Sequence, residues 1–196
     1  GLMAKQIVEG APYDVFAAAN VSFVDDVLKG GRCDGKSVTL YARGRIAVWM
    51  RPGEAGPPPK TLEELADPRW KRIALANPEH APYGRAAQEA FASRGLSEAL
   101  KAKLVYGENV QQAMQYAQTG NADVAVVALS LATMSNGVWF LVDDELHRPI
   151  DQALVVCAKG AREAEARRFV GFIGSSEGRA IMRRYGFLLP GEAVAR

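Results

Sequence analysis

Between Ile73 and Ala128, short apolar strands alternate with helical stretches, and this alternation restricts the fold more than any other feature of the chain. Ile73 to Ala76 reads as a strand, and beyond Pro82 the run AAQEAFASRG has a helical pattern. Leu104-Val105 is strand-like again. From Val110 an apolar stripe of Val110, Ala113, Met114 and Ala117 repeats at helical spacing and closes at Gly120, after Thr119. The next run, ADVAVVAL, is apolar enough to make Val124 to Ala128 a buried central strand. Strand, helix, strand, helix, strand in this order implies a parallel sheet covered on both faces.

The flanking segments extend the pattern. Leu2 to Glu9 reads as a helix stopped by Gly10, followed by a strand from Asp14 to Ala18 and a second helix, capped by Asn20, that runs to Lys29 before Gly30-Gly31. Ser37 to Trp49 is strand-like, with Arg45 to Trp49 as a crossing strand. The Pro- and Gly-rich stretch from Arg51-Pro52-Gly53 to Pro57-Pro58-Pro59 has linker composition and marks a lobe boundary. Thr61 with Glu64 fits a capping box for a short helix. Gly137 to Val142 is a further strand, and Ala153 to Cys157 crosses back, because the helices Ala161 to Ile173 and Ser176 to Tyr185 follow it. Two crossings define two hinged α/β lobes, residues 1–46 with 151–196 and residues 47–150. In open parallel sheets a ligand sits at the carboxyl ends of the strands, where helix starts converge.

Composition excludes several partner classes. With 24 basic and 22 acidic residues the net charge is only +2, too weak a field to argue for nucleic acid or an anionic membrane. The pairs Arg167-Arg168 and Arg183-Arg184 read as solvated helix faces, with docking onto a membrane partner as the alternative. No apolar run is long enough to span a bilayer, and GLMAKQIVEG lacks the regions of a signal peptide. Cys33 and Cys157 are too few to fix a redox compartment, and both are expected to be free thiols.

Two helix starts carry the chemistry. Asn77-Pro78-Glu79-His80-Ala81-Pro82 turns the first strand into its helix, which places the amides of Tyr83 and Gly84 among first-turn donors that lack an intrahelical acceptor. Asn109-Val110 opens the second helix in the same way. Free amides together with the partial positive charge of a helix N-terminus suffice to hold an oxyanion without Lys or Arg. The bland reading of Tyr83 is ring packing with its hydroxyl in water, and that of Val110 is core packing. His80 is better read as a hydrogen-bonded loop residue than as a metal ligand, since neither His147 nor a cysteine stands at metal-site spacing. Asp143-Asp144-Glu145 reads as a solvated turn. Because GxSxG, P-loop and GxGxxG motifs are lacking and no nucleophile is paired with a base, the chain is not expected to be an enzyme.

The block Asn77-Pro78-Glu79-His80-Ala81-Pro82-Tyr83-Gly84-Arg85 resembles the D-P-E-H-x-P-x-G segment of periplasmic molybdate-binding proteins. Three further blocks follow the same family's order: Lys5-Gln6-Ile7 with Gly10-Ala11-Pro12-Tyr13-Asp14-Val15-Phe16, Lys103-Leu104 with Glu108-Asn109-Val110, and Arg184-Tyr185-Gly186-Phe187. The resemblance implies a type II periplasmic-binding-protein architecture, α/β with parallel-rich sheets and two hinged lobes. It implies capture of molybdate or tungstate as an oxyanion, with no cofactor, no direct metal-cation ligand and no nucleic-acid partner. Delivery to the membrane permease of an ABC transporter and a periplasmic location follow from the same likeness. Within the family, one donor is the main chain at the position matched by Val110. One subset places a Tyr at the position matched by Tyr83, and another takes its Tyr from the position matched by Ala128. Tyr83 with Ala128 therefore looks like the swapped arrangement, with Pro82, Gly84 and Asn109 shaping the cleft.

The likeness begins late. The family's opening strand, helix and strand, about 30 residues or one βαβ unit, has no counterpart before Gly1. The first lobe is thus expected to be incomplete, to lack part of the oxyanion cage, and to self-associate through its exposed edges. Two alternatives stay open: a receptor for another small anion such as sulfate or an organic acid, and a ligand-free interaction module.

Overall fold

Chain direction in each sheet is decided by where the polypeptide leaves one unit and re-enters it. The computed structural model describes residues 1–53 and 56–192, so Glu54 and Ala55 of the Pro-rich linker lie outside the described residues. In chain order the elements are α1 (Leu2–Val8), β1 (Val15–Ala18), α2 (Val21–Lys29), β2 (Thr39–Gly44), β3 (Ile46–Met50), β4 (Ile73–Ala76), α3 (Pro82–Ser93) and α4 (Ser97–Lys101). They continue with β5 (Leu104–Gly107), α5 (Val110–Gln118), β6 (Val124–Ala128), α6 (Leu129–Met134), β7 (Val138–Leu141), β8 (Ile150–Val156), α7 (Glu163–Gly174) and α8 (Ser176–Arg184). The chain divides into Gly1–Gly44 with Ile150–Arg196, and Arg45–Pro149.

In the first unit, Gly10 takes φ 105° beyond the end of α1, a conformation open to glycine, and Asn20 caps α2 by accepting the Ser22 amide at 2.9 Å. The sheet has the order β1-β8-β2, and β8 runs antiparallel to both neighbours, pairing Phe16 with Val155 and Thr39 with Leu154. The resemblance implies parallel-rich sheets in the two lobes, whereas both strand pairs of this sheet are antiparallel. The chain leaves the unit after β2 and returns as β8 between β1 and β2, so the returning strand opposes both. Ala4, Ile7, Phe16, Val24, Val27, Ala153 and Val155 form the core under α1 and α2. On another face Val156 and Ala158 pack with Ala166 of α7.

The cysteines are not free. Cys33 and Cys157 form a disulfide with their Cα atoms 3.9 Å apart, closing a sequence separation of 124 residues. The pairing follows from the backbone: the Asp34 amide donates to Val156 O at 2.8 Å, which holds the end of β8 beside the chain leaving α2, while Asp14 O accepts the amides of both Cys157 and Ala158. Spacing alone carries no sign of this proximity.

The second unit carries a five-stranded sheet, β5-β4-β6-β3-β7. β4 is parallel to β5 and to β6, whereas β3 runs antiparallel to β6 and β7. The single strand-like run from Ser37 to Trp49 is in fact two strands, β2 and β3, in different sheets. The run divides at Gly44-Arg45, where Arg43 exchanges backbone bonds with Leu188 while Arg45 O accepts the Leu129 amide at 2.8 Å. β4 and β6 are buried along their whole length, as expected of strands covered on both faces. Ala113, Met114 and Ala117 turn the buried stripe of α5 onto Ala74, Ala125 and Val127.

Two local readings change. Thr61 and Glu64 do not make a capping box: Glu64 accepts the Lys60 amide at 3.2 Å, and Glu63–Ala66 is a tight 3-10 turn capped at Leu62. Asp144 is not solvated, because its carboxylate accepts from Arg45 Nε at 2.9 Å and its side chain is only 9% exposed. No helix among the described residues is long and apolar enough to cross a membrane.

Candidate functional site

Because β5, β4 and β6 are adjacent and parallel, their carboxyl ends lie along one edge of the second unit's sheet. Each runs at once into a helix: β5 into α5, β4 into α3 and β6 into α6. The three junctions contain every residue singled out above: Pro82, Tyr83 and Gly84 at the middle one, Asn109 and Val110 at the second, and Ala128 at the third.

The middle junction is built from Asn77. Its side chain accepts the Glu79 amide at 3.0 Å, its carbonyl accepts the Ala81 amide at 2.9 Å, and its own amide donates to Gly107 O at 2.8 Å. This turn delivers Pro82 to the first position of α3, where a missing N–H costs nothing. Arg85 is the first residue of the helix to bond back, to Ala81 O at 3.1 Å, so the amides of Tyr83 and Gly84 precede the intrahelical ladder. Tyr83 is half-buried and Gly84 is buried.

At the second junction the Asn109 side chain accepts the Gln112 amide at 2.9 Å, and Gln112 Oε1 reaches back to accept the Glu108 amide at 2.6 Å. Two end groups of α5 are satisfied reciprocally. The first intrahelical bond runs from Ala113 to Asn109 O at 3.1 Å, leaving Val110 and Gln111 as first-turn amides. The Val110 side chain packs against the alanine-rich core. Core packing of its side chain and a first-turn position of its amide are therefore compatible in one residue. Asn109 itself is exposed.

The third junction has no side-chain cap. Ala128 is 4% exposed, pairs with Ile46 and serves as the cap residue of α6, whose first amide, that of Leu129, is taken by Arg45 O. A side chain at Ala128 ends at Cβ and offers no donor.

His80 ties the first two junctions together: its Nε2 lies 3.1 Å from the Glu108 carbonyl oxygen, as befits a hydrogen-bonded loop histidine. The Glu108 carboxylate is 3.7 Å from the same nitrogen and attracts it only when the ring is protonated. Two glycines permit the tight geometry. A Cβ on Gly84 would lie 1.9 Å from Ala76 O, and one on Gly107 would lie 2.8 Å from the Ala113 amide nitrogen. Gly107 and Gln112 escaped the sequence reading; a glycine directly before the Glu108-Asn109 helix start was the available signal.

The donors collected here are neutral main-chain amides at two helix N-termini. Such an arrangement suits an anion selected by radius, and it holds no nucleophile–base pair. Among the described residues no group of three His, Cys, Asp or Glu side chains is arranged to hold a metal ion.

Comparison with known proteins gives this arrangement its family. Residues 1–188 match the family described as bacterial extracellular solute-binding protein. The molybdate-binding protein of Azotobacter vinelandii is 34% identical over 93% of this chain and 73% of its own length. That of Rhodobacter capsulatus is also 34% identical, over 96% of this chain and 74% of its own. The solved structure of the Azotobacter vinelandii periplasmic molybdate-binding protein superposes with a TM-score of 0.85 at 30% identity, covering 97% of this chain and 84% of the other. The chain belongs to the bacterial extracellular solute-binding protein family, in its molybdate-binding ABC-transporter group, and is a binding protein rather than an enzyme.

Proposed function

We propose that this protein captures molybdate, with tungstate as an equivalent ligand, outside the cytoplasm and presents it to the permease of an ABC transporter. The observation that carries this reading is the pairing of two helix starts, at Tyr83-Gly84 and at Asn109-Val110, on neighbouring parallel strands. The names of the relatives at 34% identity supply the ion. In this reading the Val110 amide donates to one oxygen of the tetrahedral anion, and Tyr83 contributes a second contact. Pro82, Gly84 and Asn109 hold the two turns in place, and Ala128 leaves room where a larger side chain would intrude.

Selectivity arises from size. Sulfate carries the same charge as molybdate but is smaller, so amides fixed by Gly84 and Gly107 cannot close on it with full bond geometry. Each bond to a charged group contributes about 1.5–3 kcal/mol, so one mismatched donor lowers affinity by roughly tenfold or more. Isothermal titration of the purified chain with molybdate, tungstate and sulfate tests the proposal. Saturable binding of the two larger anions with sulfate at least tenfold weaker is the expected result. Equal affinity for all three, or no heat from a folded sample, overturns it.

A further inference from the structure

Away from the strand–helix junctions and their neutral amides, the first unit contains a basic feature with its own chemistry. A cavity of about 190 Å³ is lined by Gly10, Tyr13, Arg32, Cys157, Lys159 and Arg162, among others. Arg162 is paired with Asp14 at 3.4 Å. Arg32 lies against Gly10, its guanidinium 3.5 Å from where a Cβ would stand, and among the described residues neither Arg32 nor Lys159 forms an ion pair. Three cations against one carboxylate leave the cavity with a local excess of two positive charges. The Cys33–Cys157 disulfide opens onto it through Cys157, and Arg32 directly precedes Cys33 in the chain.

We propose that Cys33–Cys157 is a thiol-exchange site selective for small anionic thiols, those that carry carboxylates beside the sulfhydryl. The cationic cavity concentrates the reagent at Cys157. Its thiolate attacks Cys157 Sγ and forms a mixed disulfide, the Cys157–Cys33 bond breaks, and the electron pair leaves on Cys33 as a thiolate. Arg32 stabilises that leaving group, and a positive neighbour makes a thiol the better leaving group. A second equivalent attacks the mixed disulfide, releases the Cys157 thiolate and carries away the disulfide of the small thiol. The protein is reduced by two electrons and two small thiols are oxidised. The half-buried position of both cysteines keeps bulk reagents slow, while the cavity gives one sulfur a charged approach.

The test compares three probes on the intact protein: reduced glutathione as the anionic thiol, 2-mercaptoethanol as the neutral one, and cysteamine as the cationic one. Rates of disulfide opening are measured by intact mass and expressed per thiolate. At low salt glutathione is expected to react about tenfold faster than cysteamine, a preference that collapses at high salt. Peptide mapping after alkylation is expected to find the adduct on Cys157 and the alkyl group on Cys33. Substituting Arg32→Gln together with Lys159→Gln is expected to abolish the preference at unchanged melting temperature. Equal rates for the three probes, a ratio indifferent to salt, an adduct on Cys33, or opening only after denaturation would each overturn the proposal. The salt series on the unaltered protein decides the matter even if the double variant folds poorly.

Discussion

Gly84 packs against the last residue of β4 so closely that a methyl group on its Cα would stand 1.9 Å from the Ala76 carbonyl oxygen and 2.7 Å from its carbon. Helix α3 can start only where no side chain intervenes. The obstructing atoms are backbone at the end of a buried strand, so they cannot swing aside as a flexible side chain would.

Gly84→Ala is therefore expected to destabilise the protein by about 2 kcal/mol or more, as overpacking does, and to weaken oxyanion binding because the Tyr83 and Gly84 amides shift with the helix. Gly171→Ala is the control. Gly171 lies inside α7 with nothing within 4 Å of its Cβ position, so alanine there should stabilise by about 0.5–1 kcal/mol. Urea denaturation of both variants checks the pair.

Val110→Pro separates the amide from the fold. Val110 is the first residue of α5, where proline is tolerated, and Asn109 before it already has the extended backbone, φ −151° and ψ 174°, that a following proline demands. The helix should persist while one donor disappears. Molybdate affinity is expected to fall about tenfold to a hundredfold, with a smaller loss of stability from the missing Val packing. Titration beside circular dichroism distinguishes this from unfolding; an unchanged affinity would remove Val110 from the site.

Asn109→Ala removes the side chain that accepts the Gln112 amide and strands one end of α5. The cost expected is about 1 kcal/mol. Affinity should fall as well, since Gln112 then no longer locks the Glu108 turn against the His80 ring. Thermal melts with and without molybdate read both effects.

Reducing the disulfide, or replacing both cysteines by serine, should lower stability by about 2–5 kcal/mol, because the bridge closes a loop that includes the whole second unit. Melting curves recorded with and without a strong neutral reductant give the shift. A serine double variant as stable as the parent would show that the unfolded chain is not restrained by the bridge.

Acid should loosen the second unit through Glu89. Burial acts to raise its carboxyl, but hydrogen bonds from the Arg148 side chain and amide, together with the Arg148 charge, outweigh that and hold it below the usual range. A folded-state pKa below the unfolded one gives stability that is present above the ordinary carboxylate range and lost as pH falls through the folded value. Denaturation series between about pH 5 and 3 should show this slope, and Arg148→Gln should flatten it.

Much of the candidate site was legible because helix starts are short-range events. Asn20, Asn109 and Ser175 each accept an amide two or three residues ahead, and Pro82 sets its own backbone angle, so the starts of α2, α5, α8 and α3 fall where local chemistry puts them. The strands β4 and β6 were read to the residue from their apolar runs. The roles assigned to Tyr83 and Val110 came instead from family resemblance, as no local pattern names a ligand.

By itself, then, the sequence determined strands β4 and β6 of the second unit and the starts of α3 and α5, since those depend on neighbours close in the chain. Only the tertiary structure decided the direction of β8 between β1 and β2, the division at Gly44, the burial of Asp144 under Arg45 and the union of Cys33 with Cys157. Each of these joins groups that are far apart in the chain or lie on either side of a chain crossing. Their pairing is fixed by which surfaces fold together, a choice that no window of the sequence contains.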